Sequence, residues 1–462
     1  MLHAFEEPLR GTVFTSVDER LDPVEEVGEI FHSCRIIGGS GAGLHGPTGL
    51  SSSSAGPVSR RLTAALAALF AVALVVAAAP SASGATLQTR LGRALSSSGV
   101  SAANTSAIVL NLKTGKLVFQ RNAQNALQPA SNQKLAVTLA ALDELGPRFR
   151  IPTRVYGEGN QDGATWRGRL VVKGYGDPTL SREDLKKLVR EVKSRGIRRV
   201  TGRIVADESF FDTRRTAPGW KPSYYKEECP PLTALIVARG VQSGRVATDP
   251  ALMTAKAFRT ALETAGVDVM RGVTKAAVKP TAARLADVYS PPVMGLVKRM
   301  NLVSDNFIAE MLLKELGARS GNAGSTAAGA VVTRRVLKER SVPLDGVRLR
   351  DGSGLSRFNR WTARGLAVLL RSAWSDAAIS SMFFDSLPVA GRTGTLADRM
   401  ESAPARGTVR AKTGTTNVAS ALSGYVRQRF VFSILQNGSP VPTTGARRSQ
   451  DRFAQILAGA AG

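Results

Sequence analysis

Histidine is nearly absent from this chain. The three present, His3, His32 and His45, all precede residue 46. The main body therefore cannot build a Ser-His-Asp triad, a Cys-His dyad or a His-rich zinc site. Cysteine is as scarce: Cys34 and Cys229 are the only two. Cys34 precedes a segment that reads as an export signal, so an exported product would hold one thiol and no internal disulfide. No metal or cofactor is expected. Acidic residues are short as well, 36 Asp/Glu against 62 Lys/Arg, for a net charge of +26. Residues 1–61 hold five basic and eight acidic residues, which leaves +29 for the rest. Such a body suits an anionic surrounding, for example envelope polymers, although diffuse charge also serves solubility alone. The basic residues are spread out, without a module that interleaves them with aromatics, so no nucleic-acid partner is expected. What remains is ordinary for a globular protein, with 43% hydrophobic and 21% charged residues. The 462 residues allow two to four domains.

Residues 1–58 show little pattern and end in a Gly/Ser-rich run. Gly41, Gly43 and Gly46 formally fit GxGxxG, but Pro47 and a serine run follow where a nucleotide site needs a helix. Arg60 and Arg61 precede an uncharged apolar stretch, 62–79, with small residues after it. Residues 59–85 thus read as a signal peptide or membrane anchor, the only membrane contact expected. A signal so far from residue 1 places the expected translation start near Val58. Beyond it, alternation predicts a hairpin, 106–112 and 116–120, around Lys113-Thr114-Gly115. Helical spacing covers 131–145, and a strand–helix–strand unit runs through 170–173, 182–195 and 199–206. Helices follow at 291–302, 323–337 and 362–374. The chain closes with paired strands, 419–426 and 430–435, and a helix at 449–457. Both ends of the mature chain are expected to build one sheet.

Nucleophilic chemistry without histidine needs another base, and lysine is the main substitute. Pro129-Ala130-Ser131-Asn132-Gln133-Lys134 opens a helix, and residues three apart share a face, so Ser131 and Lys134 can touch. Lys134 can serve as base only if burial or a nearby cation lowers its pKa. Ala411-Lys412-Thr413-Gly414-Thr415 supplies a second cation, with Gly414 allowing close backbone approach at a strand edge. Lys113-Thr114-Gly115 is a decoy of ordinary turn chemistry. In Ser304-Asp305-Asn306, Ser304 can relay a proton and Asn306 can hold both Lys134 and a substrate carbonyl. Each piece alone reads as well as chance or as a helix cap. Together, the ordered set SxxK, SDN, KTG is the trio of penicillin-binding proteins and β-lactamases.

At this point the chain resembles the D-alanyl-D-alanine carboxypeptidases/endopeptidases of the penicillin-binding protein 4 (DacB, peptidase S13) type. Further segments carry the likeness: LVVKGYGDPTL at 170–180, ADESFFDTRRTAPGW at 206–220, RDGSGLSR at 350–357, LPVAGRTGTL at 387–396 and AKTGTTNVASALSGYV at 411–426. The resemblance implies an α+β transpeptidase-like domain, 86–160 and 285–462, with an antiparallel sheet, flanking helices and a helical subdomain. An inserted α/β domain would span 161–284. It further implies acylation of Ser131 by peptidoglycan stem peptides, with β-lactams as covalent inhibitors. Lys134 would be the base, and Ser304 and Lys412 would protonate the leaving D-alanine. Thr413, Thr415 and Lys412 would hold the terminal carboxylate, and Asp207 would read a free amine on the peptide. The work would be extracytoplasmic. A β-lactam sensor without turnover and a β-lactamase-like hydrolase are the alternatives; the latter needs a deacylating glutamate, for which no candidate stands out.

Overall fold

The computed structural model describes residues 85–461. The N-terminal segment 1–58 and the signal expected at 59–85 lie outside the described residues, save residue 85. Both chain ends do build one sheet. Its five antiparallel strands run in the order Val409–Thr416, Ala419–Val426, Phe430–Asn437, Thr105–Asn111, Leu117–Arg121. Ile108 lies opposite Ser433, and Gly424 opposite Phe432.

Period-two alternation splits the strand Thr105–Asn111 between two cores. Ala107 and Val109 pack with Leu91, Leu95, Phe453 and Leu457 of the helices Leu87–Ser96 and Thr443–Ala460. Ile108 and Leu110 face a larger core that holds Leu135, Leu139, Leu366 and Leu370. The central strand Ala419–Val426 is buried along its whole length, as a sheet covered on both faces requires. This α+β arrangement is the expected fold class.

The second sheet has seven strands and mixed direction. Ile204–Asp207 runs parallel to Thr165–Gly174, with the helix Arg182–Ser194 between them in sequence, so the strand–helix–strand unit stands. That helix and Pro250–Thr264 cover one face through Leu185, Leu188, Phe258 and Leu262. Two details correct the sequence reading. The strand expected over 199–206 is two strands, because the chain kinks at Gly202, whose N–H donates to the Gly168 carbonyl at 2.7 Å. The insert also extends further: its outer strands are Pro152–Asp162 and Ala283–Tyr289, so boundaries at 161 and 284 fall inside strands. Among the described residues no helix is long and apolar enough to cross a membrane, and no cluster of metal-ligating side chains occurs.

Candidate active site

The nucleophile turn is strained and clamped. A short 3-10 turn, Ala130–Gln133, leads into the helix Lys134–Ala140, and Ala130 sits at φ 46°, a conformation uncommon for a residue with a Cβ. Two glycines press on this turn. A Cβ on Gly354 (φ +91°) would overlap the Ala130 carbonyl oxygen. A Cβ on Gly414 would lie 2.8 Å from the Pro129 oxygen and 3.1 Å from the Ser131 nitrogen. The glycine of the KTG strand thus makes room for the turn that carries Ser131 and lets strand and turn come into contact.

Lys134 is fully buried, and its Nζ donates to Ser131 Oγ at 3.0 Å, Asn306 Oδ1 at 2.8 Å and the Ser353 carbonyl at 2.6 Å. All three acceptors are neutral. Burial lowers its pKa from 10.5 to about 8, against the opposing pull of Asp351 and Glu310. Lys412, also fully buried, donates to Ser304 Oγ at 2.9 Å and to the Thr413 carbonyl at 3.0 Å. Burial first, and then the charge of Lys134, holds it well below its usual value. The like-charge effect expected on Lys134 is therefore felt most at Lys412.

Ser304 lies just after the helix Val293–Leu302 with φ 59°. Asp305 caps the next helix, Asn306–Ser320, by accepting the Ile308 N–H at 3.0 Å. The SDN motif is thus a helix cap and a site element at once. Asn306 is the first residue of that helix, and its Nδ2 donates to the Glu228 carbonyl at 3.1 Å.

Val409–Thr416 is an edge strand. Ala411 N donates to the Pro388 carbonyl at 3.0 Å, and Ala390 N to the Val409 carbonyl at 2.9 Å, so odd-numbered residues turn their backbone groups outward. By the same alternation Thr413 and Thr415 present theirs to the open edge beside Ser131. The Thr413 hydroxyl donates to Thr395 Oγ1 at 2.8 Å, and the Arg447 guanidinium donates to Thr415 Oγ1 at 3.2 Å. A groove of about 470 Å3 continues from the strand end, lined by Gln128, Trp220, Tyr224, Leu355, Arg357 and Asn417 among others.

Ser131, Lys134, Ser304, Asn306, Lys412, Thr413, Gly414 and Thr415 are therefore brought together. Asp207 is not. It is 1% exposed in the insert sheet, paired with Lys173 at 2.8 Å, and it accepts the N–H groups of Ser209 and Val278. Burial raises its carboxyl, but these partners outweigh that and lower it overall. A carboxylate so enclosed has no face left for a substrate amine, and the expected role is withdrawn.

Sequence reasoning missed Ser353, Asp351, Glu310, Thr395 and Arg447. Asp351 accepts from Gly354 N at 2.9 Å, Ser356 N at 2.6 Å, Asn359 Nδ2 at 2.6 Å and Trp220 Nε1 at 2.9 Å, which fixes the turn carrying Ser353. The segments RDGSGLSR and LPVAGRTGTL were the available signals for Ser353, Asp351 and Thr395.

A crystal structure of penicillin binding protein 4 (dacB) from Haemophilus influenzae superposes with TM-score 0.70 at 20% identity, covering 80% of this chain and 99% of that one. That likeness establishes the fold. A D-alanyl-D-alanine carboxypeptidase of Actinomadura sp. (strain R39) is 32% identical over 439 residues, which cover 77% of this chain and 81% of that protein. Carboxypeptidase DacB of Mycolicibacterium smegmatis is 31% identical over 380 residues, 76% of this chain and 79% of that protein. The description of the D-Ala-D-Ala carboxypeptidase 3 (S13) family matches residues 87–248 and 238–460. With family-wide similarity laid over a serine paired with a buried lysine, the chain belongs to the D-Ala-D-Ala carboxypeptidase 3 (S13) family of peptidases.

Proposed function

We propose that this chain is an extracytoplasmic serine carboxypeptidase that removes the terminal D-alanine from peptidoglycan stem peptides and is acylated by β-lactams. One observation carries the reading: a lysine with no exposed surface holds its Nζ 3.0 Å from the hydroxyl of a serine one turn away. Neutral Lys134 takes the Ser131 Oγ proton as the oxygen attacks the carbonyl between the two D-alanines. The backbone N–H groups of Ser131 and Thr415 receive the oxyanion, each such donor contributing about 3 kcal/mol to the transition state. Lys412, through Ser304, delivers a proton to the departing amine, and the C–N bond breaks. The proton taken by Lys134 then passes to Lys412, which restores both groups; water attacks the acyl ester with neutral Lys134 again as base, and that proton goes to Ser131 Oγ as the ester C–O bond breaks. Lys412, the Thr413 and Thr415 hydroxyls and Arg447 hold the terminal carboxylate. The peptide upstream of the bond lies in the groove by Trp220 and Arg357.

The test is release of D-alanine from a stem pentapeptide, together with mass spectrometry of β-lactam-treated protein. The reading expects turnover and a single acyl adduct on Ser131, both lost in Ser131→Ala. Stable adduct without D-alanine release would instead favour a sensor. An adduct on another residue would remove Ser131 from the mechanism.

A further inference from the structure

A cavity of about 640 Å3 lies behind the active-site groove. Its walls come from residues 212–218, from 347–350 and from the first turn of the helix Thr326–Glu339. Four arginines line it: Arg214, Arg334, Arg348 and Arg350. Among the described residues none of the four makes an ion pair. Arg334 donates only to the Val347 carbonyl, at 3.2 Å. The one acid in the lining, Asp212, is already paired with the buried Lys314. The helix start adds unpaired backbone N–H groups and the positive end of its dipole. Thr326, 7% exposed and part of the lining, has a hydroxyl without any hydrogen-bond partner. Four like charges around one concavity repel one another, and an oxyanion is the species that relieves this.

We propose that this cavity is a docking site for a phosphodiester-bearing polymer of the cell envelope. The segment from Arg350 to Arg357 borders this cavity at one end and the substrate groove at the other. A polymer held here would keep the catalytic groove against the wall. The site is independent of the hydrolytic chemistry, so its success or failure leaves the Ser131 reading untouched.

Calorimetry of the full chain at low salt, with a glycerol-phosphate oligomer and separately with inorganic phosphate, tests it. The oligomer should bind saturably, and Arg348→Gln/Arg350→Gln should weaken it at least about tenfold, two bidentate contacts being lost. Arg245→Gln/Arg427→Gln removes the same charge elsewhere and should change binding less than about twofold, as screened distant charges do. Penicillin labelling should stay normal in both variants, which shows that they fold. Absence of oligomer binding, or equal weakening in the two variants, overturns the proposal. Inorganic phosphate binding as tightly as the oligomer overturns the polymer as its occupant.

A different observation carries a second assignment. Glu310 lies one turn after Asn306 and is fully buried; its Oε1 accepts Gly352 N at 3.0 Å and Ser353 N at 2.7 Å. Its Oε2 is buried with no partner. The Ser353 carbonyl, on the residue whose N–H Glu310 holds, is the shortest acceptor of Lys134, and its own peptide plane is fixed by Gly354 N donating to Asp351 at 2.9 Å. We infer that Glu310 is a positioning residue, held neutral with its proton on Oε2, which aims the Ser353 carbonyl without adding a negative charge beside the base. The groups facing it are Asp351 on the turn, Lys134 on the nucleophile helix, Asp305 at the helix start and Cys229 from the insert. Lys314 follows on its own helix. Glu310→Gln preserves both acceptor bonds and neutrality, so acylation should stay within about threefold. Glu310→Ala strips two buried N–H groups and should lose about tenfold or more. Above pH 8 wild-type Glu310 ionises and pulls Lys134 toward its protonated form, so the rise of acylation with pH should be steeper in Glu310→Gln. Equal losses in both variants, or superimposable wild-type and Gln pH profiles, would overturn the assignment.

Discussion

Two lysines of this molecule have opposite surroundings, Lys134 fully buried and Lys173 partly so. Lys173 in the insert sheet meets Asp207 at 2.8 Å, a carboxylate that is itself enclosed. Lys134 in the catalytic centre meets a hydroxyl, an amide oxygen and a carbonyl, and no carboxylate. Burial removes water in part from Lys173 and entirely from Lys134. Only in the first does a negative charge replace it, and there the ion pair becomes a strut. In the second the ammonium is left under-compensated, and its proton becomes easy to lose. Lys314 lies between: burial lowers it while Asp212 pulls the other way, and the net shift is downward.

The comparison can be broken most severely at the base. Lys134→Ala should lower β-lactam acylation by about 10³–10⁴-fold, the range for loss of a nucleophile's partner, measured by stopped-flow labelling. Next, Lys412→Ala should cost D-alanine release about 10²-fold, as loss of a general acid does. Arg447→Gln should raise KM for the peptide about tenfold while kcat moves less, since it touches the carboxylate end of the site. Lys173→Met should leave acylation per folded molecule unchanged. It should cost about 3 kcal/mol in thermal unfolding, because it strands a buried carboxylate. If Lys173→Met instead abolished labelling without lowering Tm, the strut reading of Lys173 would be wrong.

The contact of Ser131 with Lys134 and the KTG strand were legible because each is a short contiguous motif, and residues three apart share one helical turn. The shared sheet of the two chain ends was legible from alternation in 106–112 and 419–435. Ser353 was hidden because it acts through a backbone carbonyl, which no side chain advertises. Glu310 reads as one more polar residue on a helix until the fold buries it. Asp207 shows the converse: the segment ADESFFD looks like family substrate machinery, while burial and the partner Lys173 come from strands far away in sequence. The strand Pro152–Asp162 was missed because its second half, residues 158–162, is polar and largely exposed and carries no hydrophobic pattern.

The sharpest test is the acylation rate by a β-lactam as a function of pH. A buried lysine acting as neutral base predicts a rate that rises through a midpoint near pH 8 and levels above it, with Lys134→Ala flat across the range. A midpoint near the ordinary lysine value, or a wild-type rate insensitive to pH between 6 and 10, would contradict the claim that burial has lowered the pKa of Lys134.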